Sequence, residues 1–198
     1  MVKNIPLVKI FLVLLNYTIN IFLILEIKKI NLLEIGVDNG DSLRIWSEYF
    51  TNANICGIDI DKKNFTINNT DLLFGDQSDN KFLQTIIDKY KNFDIIIDDG
   101  SHILSDQLKA IDYFFKYLNK DGYYVIEDYR FSEFIPHLKD TDDPCVREIF
   151  EILKKNNKKD FKFISAETLE NLKINSSNIF EYKGNQEISG IAFIKRSN

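Results

Sequence analysis

The sequence predicts an α/β domain: a mostly parallel sheet with helices on both faces, closed at its C-terminal end by an antiparallel hairpin. Two observations carry this. From residue 30 onward, strand-like apolar runs alternate with helix-like amphipathic stretches, the pattern of parallel strands joined by crossover helices. The last two apolar runs are separated only by Lys183-Gly184-Asn185-Gln186, a hairpin connection. At 198 residues, 44% hydrophobic, the chain fills one core and is short for two. With no internal repeat or Pro/Gly/Ser-rich linker, the expected organisation is an apolar helical segment, 1–29, followed by one domain, 30–198.

Residues 5–27 are apolar nearly all round, with Lys9, Asn16 and Asn20 as a narrow polar stripe. A spanning helix needs about 20 mostly apolar residues, and the run between Lys9 and Glu26 is shorter and interrupted by Asn16, Thr18 and Asn20. An all-round apolar helix must still be covered. Protein is the favoured covering, either the sheet or a second copy in a homo-oligomer; membrane contact through 5–27 is the less favoured one. No small-residue cleavage site follows, which argues against a removed signal peptide.

Ile30–Ile35 reads as the first strand and Asp41–Phe50 as the helix after it. Asn54–Ile58 is a second strand ending at Asp59, and a short third near Asp71–Phe74 ends at Gly75-Asp76-Gln77. Lys81–Tyr90 is helical, with Phe82, Ile86 and Ile87 on one face. The fourth strand, Phe93–Ile97, runs into Asp98-Asp99-Gly100-Ser101-His102. A helix over Leu104–Leu118 follows, with Leu108, Ile111, Phe115 and Leu118 inward. Asp121-Gly122 then turns the chain into a fifth strand, Tyr123–Ile126, which stops at Glu127-Asp128. Asp142-Asp143-Pro144 predicts a helix start, with the helix running to about Lys155. Asn178–Tyr182 and Ile188–Lys195 form the hairpin.

Twenty-five basic against 30 acidic residues leave a net charge of −5, with no excess of cations to neutralise a phosphate backbone, so nucleic acid is not the expected partner. Cys56 and Cys145 belong to no CxxC or Cys/His pattern, which gives no support to a disulfide framework or structural zinc. A reducing, cytoplasmic compartment fits.

Leu33-Glu34-Ile35-Gly36-Val37-Asp38-Asn39-Gly40 is a strand entering a glycine loop that opens a helix. A dinucleotide loop would read G-x-G-x-x-G; here Asp38 takes the middle glycine's place. Glu34, Asp38 and Asp41 also crowd the loop, where a pyrophosphate would need amides and no competing anions. A cofactor without phosphate is therefore favoured. S-adenosylmethionine (SAM), with its cationic amino and sulfonium groups, meets that condition. Asp59, about 20 residues past the glycine loop, stands where an acid accepts hydrogen bonds from both ribose hydroxyls. Asp76 is placed to meet the adenine amino group. Gly36, Gly40 and Ser42, in the first turn of the helix, join Glu34 as candidate cofactor contacts. Each signal alone has a plainer reading, Asp41 as a helix N-cap and Asp76 as a turn residue; their order along one alternating pattern gives the set its weight.

In such a sheet the fourth and fifth strands neighbour the first, so Asp98, Asp99 and His102 face the methyl end of the cofactor, with Glu127 and Asp128 beside Asp99. Converging carboxylates repel one another unless a cation neutralises them. Oxygen donors and waters suit Mg²⁺ or Mn²⁺. A hydroxyl attacking a sulfonium methyl must lose its proton; a metal stabilises the developing alkoxide, and His102 is the candidate base. The competing role for His102 is structural, capping the next helix. Consecutive strand residues point to opposite faces, so Glu127 and Asp128 share one ion only if the strand breaks there.

Leu-Leu-Glu-Ile-Gly-Val at 32–37, Gly-Ile-Asp-Ile-Asp at 57–61, Gly-Asp-Gln at 75–77, Ile-Asp-Asp-Gly-Ser-His at 97–102 and Val-Ile-Glu-Asp at 125–128 resemble class I SAM-dependent methyltransferases. More narrowly, they resemble the metal-dependent sugar O-methyltransferases of macrolide biosynthesis, the macrocin and mycinamicin type. The resemblance runs from about residue 30 to 130 and faintly through the hairpin. It implies a Rossmann-like methyltransferase sheet, magnesium ligands at Asp99, Glu127 and Asp128, the base at His102, and cofactor contacts at Glu34, Gly36, Asp59, Asp76 and Gln77. The large N-terminal region of the macrolide enzymes has no counterpart in these 198 residues.

The expected activity is methyl transfer from SAM, assisted by Mg²⁺, to a hydroxyl of a sugar or glycosylated metabolite, the acceptor being a small molecule or glycan. The alternative is a non-catalytic SAM-binding or scaffold protein that keeps the fold. A nucleotide-dependent oxidoreductase is opposed by the acidic glycine loop.

Overall fold

Residues 28–157, 159–184 and 187–197 are described by the computed structural model. The apolar stretch 5–27, with its expected covering, lies outside the described residues, as do Asn185 and Gln186 of the hairpin turn. Among the described residues, no helix is long and apolar enough to cross a membrane.

The strands are β1 (Asn31–Ile35), β2 (Asn54–Asp59), β3 (Thr70–Phe74), β4 (Phe93–Asp98), β5 (Leu118–Glu127), β6 (Ile179–Lys183) and β7 (Gly190–Lys195). They form one sheet in the order β3-β2-β1-β4-β5-β7-β6. β1 to β5 pair in parallel, and β7 runs antiparallel to both β5 and β6. The chain starts mid-sheet at β1, moves out to β3, and returns to β4 on β1's other side. The helices that follow β1 and β4 pack on opposite faces of the sheet, which marks a crevice at the carboxyl ends of these strands.

The helices are α1 (Asp41–Tyr49), α2 (Asn80–Tyr90), α3 (Leu104–Phe114), α4 (Phe131–Phe134), α5 (Val146–Lys154) and α6 (Ala166–Ile174). Strand alternation divides the core in two. Leu33, Ile35, Ile58, Ile96, Tyr124, Ile126 and Ile194 pack with α2, α3, α5 and α6 on one face. Leu32, Ile55, Ile95, Ile97, Val125 and Phe193 belong to the other, with Leu43 and Trp46 of α1.

Four departures from the sequence expectation have local causes. The Asp121-Gly122 turn lies inside β5, because pairing jumps from Phe93–Leu118 to Ile95–Tyr123 and the residues between bulge out, Asp121 taking φ +64°. α3 stops at Phe114, and a 3₁₀ turn, Phe115–Tyr117, leads into β5. α5 begins only at Val146, where Glu148 reaches back to the Cys145 amide at 3.0 Å; Asp143 instead accepts the Lys162 amide at 3.0 and 3.1 Å. α6 has no counterpart in the sequence reading; it starts where Ser165 accepts the Thr168 amide at 3.2 Å.

Candidate active site

Because β1 to β5 are parallel, the loops after them converge at one edge of the sheet, around a cleft of about 410 Å³. Its walls come from four loops: Gly36 and Asp38 after β1; Asp59, Ile60 and Lys63 after β2; Gly75, Asp76 and Gln77 after β3; Asp99, Gly100, Ser101, Ile103 and Asp106 after β4. A larger cleft of about 650 Å³ opens near Asn31 and Asp94 at the opposite, amino ends of the strands. Its polar groups are occupied with one another: Asp94 accepts from Asn31 and Asn119, and Asp71 from Lys89 and Tyr90.

Gly36 has φ +82°, and a Cβ on it would stand 2.2 Å from the Asp99 carbonyl oxygen. The Asp99 amide also donates to Ile35 at 2.9 Å. The loops after β1 and β4 thus touch backbone to backbone, as glycine alone allows.

Glu34 lies behind this loop, buried at 2% exposure. One carboxylate oxygen accepts from Ser42 Oγ and the other from Trp46 Nε1 at 2.8 Å. Burial pushes its pKa up to about 7 against the opposing pull of those two bonds. Both oxygens are engaged with α1, so Glu34 and Ser42 fasten α1 to β1 and do not line the cleft. Gly40 is likewise set back: the Phe65 ring fills the space its Cβ would need, at 2.5 Å.

Asp59 lines the cleft. Its Oδ2 accepts the Val37 and Asp38 amides at 3.1 and 3.2 Å, its Oδ1 accepts the Asp61 amide at 2.9 Å, and Lys63 Nζ lies 3.2 Å away. Burial alone would raise its pKa; the Asp61 and Val37 amides and Lys63 outweigh it and hold the carboxyl below its ordinary value. Asp76 accepts the Ser78 amide at 2.7 Å. Gln77 Oε1 accepts the Ser101 amide at 3.2 Å, tying the β3 loop to the β4 loop.

Asp98 is the last residue of β4 and is buried beneath the turn, where it accepts the Gly100 amide at 3.3 Å. Burial, with repulsion from Asp106, pushes it up to about 7 despite Gly100 and Gln77. Asp99 faces the cleft. Burial first, then repulsion from Glu34, Asp128, Asp98 and Asp38, drives its pKa well above the carboxylate range. His102 takes φ +57°, its Nε2 is 3.8 Å from Asp99 Oδ1, and its ring meets Phe131 edge-on at 5.0 Å. Its Nδ1 is buried without a partner. Burial lowers its pKa, opposed by Asp128. The structural role weighed for His102 falls elsewhere: Ser101 accepts the Ile103 amide at 3.2 Å and donates to Asp106 at 2.9 Å, bracing the start of α3.

β5 ends at Glu127, which is buried, and Asp128 takes φ +46°. The strand therefore breaks between the two acids. Asp128 Oδ1 accepts from Ser189 Oγ at 3.0 Å. Among the described residues, no three His, Cys, Asp or Glu side chains are gathered closely enough to hold a metal ion.

Gly36, Asp59, Asp76, Gln77 and Asp99 therefore meet around one cleft, with His102 and Asp128 adjoining Asp99, while Glu34, Gly40, Ser42 and Asp98 support it from behind. Sequence reasoning passed over Ile60, Lys63, Phe131 and Ser189. Ile60 carried a signal, an apolar residue directly after a strand-end acid that is left 71% exposed; the others carried none.

No family model matches the sequence. The chain is 38% identical over 109 residues to mycinamicin VI 2''-O-methyltransferase of Micromonospora griseorubida, covering 51% of this chain and 27% of that protein. It is 36% identical over 113 residues to a rhamnosyl tetracenomycin-C 2'-O-methyltransferase of Streptomyces olivaceus, covering 53% and 30%. Demethylmacrocin O-methyltransferase of Streptomyces fradiae is 36% identical over 109 residues, covering 51% and 28%. The alignments thus span less than a third of these relatives' own length. Among solved structures, MycE methyltransferase in complex with Mg, SAH and mycinamycin VI superimposes with a TM-score of 0.65 at 26% identity, covering 86% of this chain and 45% of that one. The O-methyltransferase from Bacillus cereus shares the fold, with a TM-score of 0.52 at 15% identity, covering 98% and 91%. The homologues are sugar O-methyltransferases, and the sheet is that of class I methyltransferases.

Proposed function

We propose, from this methyltransferase sheet and its sugar O-methyltransferase homologues, that the chain transfers a methyl group from SAM to a hydroxyl of a sugar or glycosylated metabolite, assisted by Mg²⁺. One observation carries the reading. The turn after β4 supplies a wall of the cleft through Asp99–Ser101 and continues directly into His102, 3.8 Å from Asp99.

With SAM in the cleft, Asp59 accepts from the ribose hydroxyls, since each carboxylate oxygen has lone pairs beyond those its amides use. Asp76 and Gln77 meet the adenine edge, and Ile60 and Ile103 offer apolar walls. Asp38, which lines the cleft, offsets the cationic amino group. His102, whose pKa burial lowers, is neutral at neutral pH and free to take a proton. It accepts the hydroxyl proton as the O–CH₃ bond forms and the S–CH₃ bond breaks. S-adenosylhomocysteine leaves, and His102 returns its proton to solvent. The resemblance assigns a divalent ion, Mg²⁺ or Mn²⁺, to Asp99, Glu127 and Asp128, where it would polarise the acceptor hydroxyl; among the described residues these side chains are not gathered as a ligand set.

Calorimetric titration with SAM, with and without Mg²⁺, tests the reading. SAM binding coupled to the divalent ion is expected. No SAM binding overturns it, and SAM binding indifferent to metal, with no methyl transfer to a sugar panel, marks a non-catalytic SAM-binding protein.

A further inference from the structure

We propose that Phe131, with Phe134 one helical turn further on, forms an aromatic platform that holds the acceptor as a pyranose ring, stacked by its C–H face beside His102. This rests on the function proposed above.

A base that takes a hydroxyl proton must come within about 2.6–3.2 Å of that oxygen, so the acceptor ring is set down next to the His102 imidazole. Phe131 stands at that place. The two ring centroids are 5.0 Å apart and their planes are inclined at 64°, so the imidazole does not lie flat on the phenyl ring. Phe131 is half-buried and is not among the walls of the cofactor cleft. A pyranose has a polar rim of hydroxyls and faces made of C–H groups. Those faces match the negative π-face of an aromatic ring, whereas an open-chain polyol has no such face to offer.

Phe134 is a second, independent sign. A lone exposed apolar residue needs no explanation, but Phe134, 42% exposed, stands three residues from Phe131 on the same short helix, α4, where residues at that spacing are surface neighbours. Both rings are held before any ligand arrives. The Phe131 amide donates to the Asp128 carbonyl at 2.9 Å, and the Phe131 carbonyl accepts the Ile135 amide at 2.8 Å. The Arg130 guanidinium lies over the Phe134 ring, 5.0 Å from its centroid, and is itself fixed by the Glu187 carbonyl. Glu133 ties α4 to α5 by accepting from Arg147 at 3.0 and 3.1 Å. Rings fixed in advance lose little freedom when a sugar settles on them.

The test titrates the full chain, saturated with S-adenosylhomocysteine so that no methyl transfer occurs, with methyl β-D-glucopyranoside and with sorbitol, by calorimetry. The glucoside carries its hydroxyls on the rim and leaves both faces as C–H; sorbitol carries comparable hydroxyls on an open chain. The wild type should bind the glucoside about tenfold more tightly than sorbitol. Phe131→Leu and Phe134→Ala should each weaken glucoside binding about 3–10-fold, while S-adenosylhomocysteine affinity and the melting temperature stay near wild type. Phe131→Tyr, which keeps the ring, should restore most of the affinity, and Phe134→Ala, at an exposed position, keeps the test decisive should Phe131→Leu fail to fold. A loaded wild type that binds no glucoside, or binds sorbitol as tightly, overturns this inference alone. So does wild-type glucoside affinity in either variant, a Phe131→Tyr as weak as Phe131→Leu, or a Phe131→Leu that loses S-adenosylhomocysteine affinity as well. If the wild type binds no S-adenosylhomocysteine, the methyltransferase reading falls and this inference falls with it.

Discussion

Gly36 and Asp99 meet backbone to backbone, so closely that a Cβ on residue 36 would lie 2.2 Å from the Asp99 carbonyl oxygen. Gly36→Ala therefore carries two penalties. Holding a non-glycine residue at φ +82° costs about 1–3 kcal/mol, and relief of the overlap must push the Asp99 turn outward. Lower stability in urea melts is expected, with a loss of SAM affinity larger than the stability change explains. Wild-type SAM affinity in a folded Gly36→Ala would show that this contact does not set the cleft.

Glu34 gives a stability signature. Its pKa is raised from 4.5 to about 7, so the unfolded chain releases this proton near pH 4.5 and the folded chain near pH 7. Between those values the unfolded state holds fewer protons, and stability falls as pH rises, by at most about 3 kcal/mol for a shift of this size. Glu34→Gln, an isostere of the protonated acid, lacks that slope. Urea denaturation at pH 5 and pH 7.5 should show the variant gaining on the wild type at the higher pH; parallel behaviour would contradict the buried-acid account.

Asp59 has the opposite sign. Its pKa is lowered, so the stability it contributes is present above its unfolded value of about 3.9 and lost as pH falls through the lower folded value. Asp59→Asn gives up the charge that holds the Val37 and Asp38 amides and Lys63. A weakening of SAM binding by about tenfold or more is expected from charged hydrogen bonds worth 1.5–3 kcal/mol, measured by calorimetry. Unchanged affinity would remove Asp59 from the cofactor site.

The strand ends were legible because apolar runs that stop at charge mark where a parallel sheet ends, as at Asp59, Asp99 and Glu127. α6 was not, because Ala166–Ile174 buries only Thr168, Leu169 and Leu172, too sparse a stripe to read as a helical period. Glu34 read as a cofactor contact because a strand-end acid beside a glycine loop looks functional. Strand parity turns it toward α1, and only packing brings Ser42 and Trp46 to its two oxygens. Ser189 was silent for a similar reason: its partner lies 61 positions away, and only the register of β5 on β7, Glu127 opposite Ile191, brings the turn to Asp128.

The most direct test of the central claim is the rate of methyl transfer from SAM to a panel of sugar hydroxyl acceptors by the wild type and His102→Ala, each with Mg²⁺ and saturating SAM. The wild type is expected to methylate at least one sugar, and His102→Ala to fall about 10²–10⁴-fold, the range for loss of a general base, with its SAM affinity unchanged. A wild type that methylates none, or a His102→Ala that methylates as fast, would contradict the account.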